Sequence, residues 1–429
     1  MRFWLCLLLL QTGIAFAQVT EPPATPTSLA TIPVSARIRE ITFAGNKTTQ
    51  PKTMLREISL KVGDVADPDQ LERSRQAIQD LDLFKSVTVR EEPMPDGVRV
   101  VFVVKEKFFL LPYPRLSANV DGQYSYGAQL EWNNLRGLNH SLEITASQSD
   151  ANRDGYGKQT NYEASYYAPF IADSNQNLSL SLSRSATPRN NTLTGDPYKE
   201  NQVAAQALLT RTFSTTAASQ GWTVGGGVYY QHEDRNGLGA APPYGEATAL
   251  VGTAEYRDLH LKIYSEEGTL FTLRTEHAIN GLVSDYGYTK IRAGYDRYIP
   301  VGEVPHQTIQ LSSSFGAGFN GPQQVEPFSL GGGAGLRGYR RYTFEGNSFY
   351  FASATYQRPV GWDWLRVVAG IEAGNVAQSA NSVLFQDISA DVLLGLRLRI
   401  SWFINLEFEA GWAIPLDGSS KGRFFGGRH

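Results

Sequence analysis

The chain has 429 residues, a formal net charge of −3, and 19% charged residues against the roughly 25% usual for soluble domains. No basic tail or arginine-rich patch points to nucleic acid, and no apolar run after residue 17 is long enough for a membrane-spanning helix. A β-barrel escapes that test, because alternating lipid-facing and lumen-facing residues give a mean hydropathy that looks soluble.

Residues 1–17 read as an export signal. Arg2 supplies the basic start, Phe3 to Leu10 the apolar stretch, and Ala15-Phe16-Ala17 the small-residue cleavage pattern, so Gln18 is the expected mature start. Cys6, the only cysteine, lies within it, so the mature chain is expected to have no disulfide. Residues 18–35, rich in Pro, Thr and Ala, read as an extended or flexible leader.

Residues 36–107 predict one small α+β domain in the order β-α-α-β-β. Ile38, Ile41 and Phe43 mark a strand ending at the turn Gly45-Asn46. Pro51 opens a helix carrying Met54, Leu55 and Ile58. Asp67, Pro68 and Gln70 cap and start a second helix with Leu71, Ala77, Ile78 and Leu81 along one face. Val87 and Val89 belong to a strand, Pro95-Asp96-Gly97 is a turn, and Val98 to Val104 is an apolar strand.

From residue 108 to 429 the period becomes two. Leu142, Ile144 and Ala146 alternate with polar neighbours. So do Leu178, Leu180 and Leu182, and so do Ile309, Leu311, Phe315 and Ala317. The pattern returns in Leu394, Leu396, Leu398 and Ile400, and in Ile404, Leu406, Phe408, Ala410 and Trp412. Turn signals fall at Asp154-Gly155, Asn236-Gly237, Glu267-Gly268 and Asp417-Gly418. About sixteen strands fit this length at roughly ten residues each. The expected fold is mainly β: a 16-stranded antiparallel transmembrane β-barrel behind one small domain. A soluble sandwich or propeller is the competing reading, disfavoured by the export signal and the absence of a blade repeat.

Residues 328–347 read FSLGGGAGLRGYRRYTFEGN. The glycine-rich approach to Gly335-Leu336-Arg337-Gly338-Tyr339 resembles the R-G-[FY] motif of the BamA/TamA superfamily, the bacterial surface antigens. Ile-Glu-Ala-Gly-Asn-Val at 371–376 is similar to that family's F-x-D-x-G segment, with Glu372 where aspartate is usual. Phe43-Ala44-Gly45-Asn46-Lys47 and Leu83-Phe84-Lys85-Ser86-Val87 resemble a POTRA domain. The chain departs from the family in having one POTRA domain and in ending Phe-Phe-Gly-Gly-Arg-His.

The resemblance implies a lumen loop carrying Arg337, and a bidentate pair between that guanidinium and Glu372 is the chemistry that would pin it. It implies location in the outer membrane with the first domain in the periplasm, and a role in assembling or translocating polypeptide. Extended client polypeptides, the lipid bilayer and periplasmic proteins are the implied partners. Client strands would add to a sheet edge at Val87, Thr88 and Val89. A seam is expected between a first strand near 116–122 and a short, glycine-rich last strand near 422–428. A two-partner-secretion pore and a passive or structural barrel are the alternatives.

Gly333-x-Gly335-x-x-Gly338 has dinucleotide-binding spacing but opens no helix in a βαβ unit. His140, His232, His260, His277, His306 and His429 show no ligand spacing, so no metal or cofactor is expected. No nucleophile-elbow context suggests an enzyme. Arg397 and Arg399 face the same side as Glu407 and Glu409, which predicts a charge ladder.

Overall fold

The computed structural model describes residues 36–118, 124–149, 158–190, 194–240, 245–281, 283–321, 327–341, 343–378 and 387–428. The signal, the leader, the turn at 154–155 and residues 119–122 of the expected first barrel strand lie outside these residues.

The first domain comprises β1 (Ile38–Ala44), α1 (Pro51–Leu55), α2 (Pro68–Gln79), β2 (Phe84–Met94) and β3 (Gly97–Glu106). Its sheet runs β1-β3-β2, with β1 parallel and β2 antiparallel to the central β3. The Asp67 carboxylate accepts the Gln70 N–H at 3.2 Å, satisfying one orphan donor of α2. Ile38, Met54, Leu71, Ile78, Phe84, Val100 and Phe102 form the core. Gly45 at φ +89° ends β1, and a Cβ there would sit 2.1 Å from the Val104 carbonyl oxygen. The first helix is shorter than expected: Ile58 lies beyond it, and Leu55 is exposed.

The second unit is a 16-stranded antiparallel sheet. Its strands are β4 (Leu110–Ala118), β5 (Tyr124–Leu135), β6 (His140–Ser149), β7 (Gln159–Ala168), β8 (Gln176–Asn190) and β9 (Pro197–Ser214). They continue as β10 (Gly221–Gly237), β11 (Gly245–Leu261), β12 (Glu266–Ala278), β13 (Tyr288–Pro300) and β14 (Thr308–Phe319). A small ribbon, β15 (Phe328–Leu330) and β16 (Phe344–Gly346), interrupts the series before β17 (Ser348–Val360), β18 (Trp362–Ala377), β19 (Ser389–Arg399), β20 (Glu407–Pro415) and β21 (Arg423–Arg428). Each barrel strand pairs with its neighbours in the sheet order. No helix among the described residues is long and apolar enough to cross a membrane. Ile144, Leu182, Leu311, Phe315, Leu394, Leu396, Phe408 and Trp412 point outward and are exposed, making the apolar outer band that alternation predicts.

Two strand expectations need correction. Glu267-Gly268 is no turn: both residues lie inside β12, because the chain reverses at residues 262–265 instead. Ile404 and Leu406 precede β20 and are buried; Ile404 joins the core of the first domain rather than the outer band.

That packing reflects how the first domain sits. Gln50 N and Thr53 Oγ1 donate to the Gly137 carbonyl after β5, at 3.0 and 2.8 Å. Lys52 pairs with Asp173 after β7, and Arg56 stacks on Phe170. Ser219, after β9, donates from N and Oγ to Glu57 at 2.9 and 2.8 Å. Asp80 accepts from Leu261 N, and its other oxygen meets His260 at 2.7 Å. Asp82 accepts from Asn405 N after β19. The turns after β5, β11 and β19 stand roughly a third of the circumference apart, so the domain lies across the mouth at the short-turn end.

Candidate functional site

The long connection between β14 and β17 folds into the bore. The β15–β16 ribbon forms its stem, and residues 331–341 form its tip. Gly331 takes φ +116°, with the Arg340 carbonyl where a Cβ would stand, and its N–H donates to Gly335 O at 2.7 Å. Phe328, Leu330, Leu336, Tyr339 and Phe349 close into an apolar cluster beneath the tip. Leu336 and Tyr339 are fully or almost fully buried there.

The structure brings Arg337 and Glu372 together. Arg337 Nε donates to Glu372 Oε1 at 2.8 Å, and the Arg337 backbone N–H donates to Oε2, also at 2.8 Å. The fork-to-carboxylate geometry expected from the sequence is therefore replaced by a side-chain and main-chain chelate. This leaves Nη1 free to reach a second carboxylate, Glu409 on β20. The guanidinium also lies 4.9 Å over the Phe425 ring of β21. Gly338 N donates to Asp391 Oδ2 at 2.7 Å, and Tyr339 Oη to Ala390 O at 3.3 Å. A Cβ on Gly338 would sit 2.9 Å from both Asp391 Cβ and Pro415 N, and one on Gly335 would sit 2.7 Å from the Phe351 ring. Both glycines allow an approach that a side chain forbids.

Glu409 is shared: Arg397 Nε donates to its Oε2 at 2.7 Å. The expected ladder holds for Arg397 and Glu409 but not for its other rung. Arg399 and Glu407 face each other in register, yet Arg366 on β18 takes Glu407 while Arg399 reaches Glu266 on β12. The Arg399–Glu266 pair bridges strands far apart in the sheet, near the end covered by the first domain. The bore is thus crossed twice, by the loop tip and by this ion pair. Glu372, Arg366, Arg397, Arg399 and Glu409 are all buried. Buried charges persist only when paired in this way.

Sequence reasoning missed Glu409 and Asp391 as loop anchors, and Glu266 altogether. The signal for the first two was their place on the inward face of strands whose apolar residues point outward; Glu266 carried none.

Val87, Thr88 and Val89 lie on β2, whose only ladder partner among the described residues is β3. Val87 is buried under α2, Thr88 is exposed, and the Arg75 guanidinium approaches the Val87 carbonyl at 3.5 Å.

At the seam, β4 pairs only with β5, and β21 only with β20, among the described residues. The first strand is Leu110–Ala118, earlier than expected, and the last is Arg423–Arg428. Side chains cross the gap. Arg428 donates to Tyr113 Oη at 2.6 Å and to Glu131 Oε2 at 2.9 Å. Phe108 N donates to Trp402 O at 2.8 Å, with the Phe108 and Phe403 rings 5.4 Å apart.

Among the described residues no cluster of His, Cys, Asp and Glu has the arrangement to hold a metal ion.

Comparison with known proteins gives two family matches. Residues 134–422 match the Omp85 superfamily domain, and residues 36–107 match the POTRA surface antigen variable number repeat. Among solved structures, BamA from Haemophilus ducreyi lacking POTRA domains 1–3 is similar at 16% identity and TM-score 0.53, over 91% of this chain and 84% of that one. CdiB from Acinetobacter baumannii is similar at 15% identity and TM-score 0.59, over 91% and 73%. CdiB from Escherichia coli is similar at 14% and 0.61, over 89% and 73%. At these identities the likeness speaks to fold.

Proposed function

The chain belongs to the Omp85 superfamily, and from that premise we propose that it assembles or translocates polypeptide at the outer membrane, with its POTRA domain in the periplasm. The observation that carries the reading is the seam. Strands β4 and β21 share no ladder among the described residues; Arg428 of β21 reaches Tyr113 of β4 and Glu131 of β5, and Phe108, before β4, bonds Trp402 in the turn after β19. Unpaired strand edges in lipid are costly, so such a seam favours pairing with an incoming strand. The short β21, with Gly426 and Gly427, has few ladder bonds of its own to lose.

The POTRA sheet supplies a second edge. An extended client adds to β2 at Val87, Thr88 and Val89 through main-chain hydrogen bonds, largely independent of client sequence. Its contacts with the turns after β5, β9 and β11 hold that domain, and with it this edge, at the mouth of the barrel. The loop tip and the Arg399–Glu266 pair both cross the bore, which argues against a standing diffusion pore.

Depletion of the protein followed by outer-membrane proteomics tests this. Loss of several barrel proteins, together with crosslinking of unfolded barrel segments to a photoreactive residue at Thr88, is expected. Loss of one secreted protein assigns the chain to the secretion branch. An unchanged proteome with no Thr88 adduct overturns the proposal.

A further inference from the structure

We propose that an extended strand entering the seam bonds to the open edge of β21 and is refused by the part of β4 nearest the POTRA domain, where two prolines have removed the donors. The proposal rests on the reading of this chain as a polypeptide-handling barrel and names the edge that receives the client. Strand β4 reads Leu-Leu-Pro-Tyr-Pro-Arg-Leu-Ser-Ala, with Pro112 and Pro114 on the same face of the pleat. Proline has no backbone N–H to give a ladder, and an edge strand tolerates it where its nitrogen faces away from the partner strand.

Two bonds fix which way those nitrogens face. Phe109 O accepts from Asn133 N at 2.7 Å, one step before Leu110 and Trp132 in the β4–β5 register, so residue 109 turns its polar groups toward β5. Phe108 N turns the other way and donates to Trp402 O at 2.8 Å, on the far side of the seam. The ladder runs from Leu110 to Ala118 without a register shift, and backbone groups alternate sides along an antiparallel strand. Tyr113 and Arg115 therefore bond β5, while Leu110, Pro112, Pro114 and Leu116 turn their nitrogens to the open edge. The prolines remove nothing from the β5 ladder. They leave the seam edge with carbonyls at 112 and 114 but no donors.

A strand laid along this stretch can donate to those carbonyls, yet its own carbonyls opposite Pro112 and Pro114 find no hydrogen in hydrocarbon, where an unmet polar group is costly. Residues 423–428, Arg-Phe-Phe-Gly-Gly-Arg, contain no proline. The open edge of β21 therefore offers a donor beside every acceptor. The same asymmetry explains why β4 and β21 share no ladder among the described residues: β21 meets the two donor-free positions that would defeat a client. Across the gap it uses a side chain instead, with Arg428 reaching Tyr113 and Glu131.

Hydrogen exchange, read by mass spectrometry on the full-length chain folded in detergent, tests this. The probe is a synthetic peptide copying Ser389–Arg399, a proline-free strand of the same barrel. Saturating peptide should slow the fast-exchanging amides of 423–428 by about tenfold or more, the effect of one hydrogen bond, and leave those of 110–115 unchanged. In Pro112→Val/Pro114→Val the two new amides should be protected, by β21 or by the peptide, because only the donor was lacking. The heat-dependent gel shift of a folded barrel checks the variants, and Pro114→Val alone carries the test if the double variant fails to fold. Protection of 110–115 matching that of 423–428 overturns the proposal. So does absence of peptide protection in the folded wild type, or unprotected new amides in a folded valine variant. The readout needs no assembly activity: an unchanged proteome on depletion refutes the function and leaves this pairing standing, and a negative exchange result leaves the depletion outcome untouched.

Discussion

Removing the Arg337 side chain should release the loop from the bore. In Arg337→Met, Glu409 keeps Arg397 as its partner, but Glu372, with 2% of its side chain exposed, loses its guanidinium partner while keeping the backbone N–H of residue 337. Breaking a buried pair from one side costs ~3–5 kcal/mol. The surviving N–H bond and the partial exposure of Arg337 place this case near the lower end, about 3 kcal/mol. That corresponds to roughly a hundredfold rise in the loop-out population.

Trypsin reads this directly at Arg340 and Arg341, which remain in the variant. When opening and closing are fast relative to cleavage, the cutting rate follows the open population. External trypsin on the chain in proteoliposomes should therefore cut Arg337→Met about a hundredfold faster. Glu372→Gln should act in the same direction more weakly, since Arg337 keeps Glu409. The double mutant should fall short of the sum of the singles by about 1–3 kcal/mol. Additivity within ~0.5 kcal/mol, or an unchanged cutting rate, would refute the pinning argument.

Further perturbations follow from the same contacts. Burial pushes the Glu57 carboxyl up to about 7, against the opposing hydrogen bonds from Ser219. A carboxyl raised above its unfolded value favours the docked state fully below the ordinary carboxylate range, and that contribution is lost as pH rises through about 7. Energy transfer between labels on the POTRA domain and the turn after β9 should thus fall from pH 5 to pH 8 in wild type and stay flat in Glu57→Gln. Gly338→Ala, whose methyl meets Asp391 and the Pro415 backbone, should expose the loop to trypsin much as Arg337→Met does. Arg399→Gln removes the cross-bore pair with Glu266 and should lengthen open events in planar bilayers; an unaltered conductance record would show that the pair does not restrict the bore.

Local chemistry made much of this protein legible in its sequence. The cap at Asp67, the two-residue alternation from 108 onward and the glycines around Arg337 each depend on near neighbours, and hydrophobic period alone separates an outer face from an inner one. Even Arg337 with Glu372 was readable, because the resemblance supplied both halves. Tertiary structure decided which inward charge meets which. Sheet curvature carries Arg399 past its in-register neighbour Glu407 to Glu266, 133 positions away in the chain. It lets Glu409 serve two arginines and sets the Arg292 guanidinium over the Phe349 ring. Periodicity assigns a side chain to a face of a sheet, but only the curling of that sheet around the bore fixes what stands opposite. Ile404 shows the same limit: its alternation marked it for the outer band, and the POTRA domain resting on the barrel turns made it core.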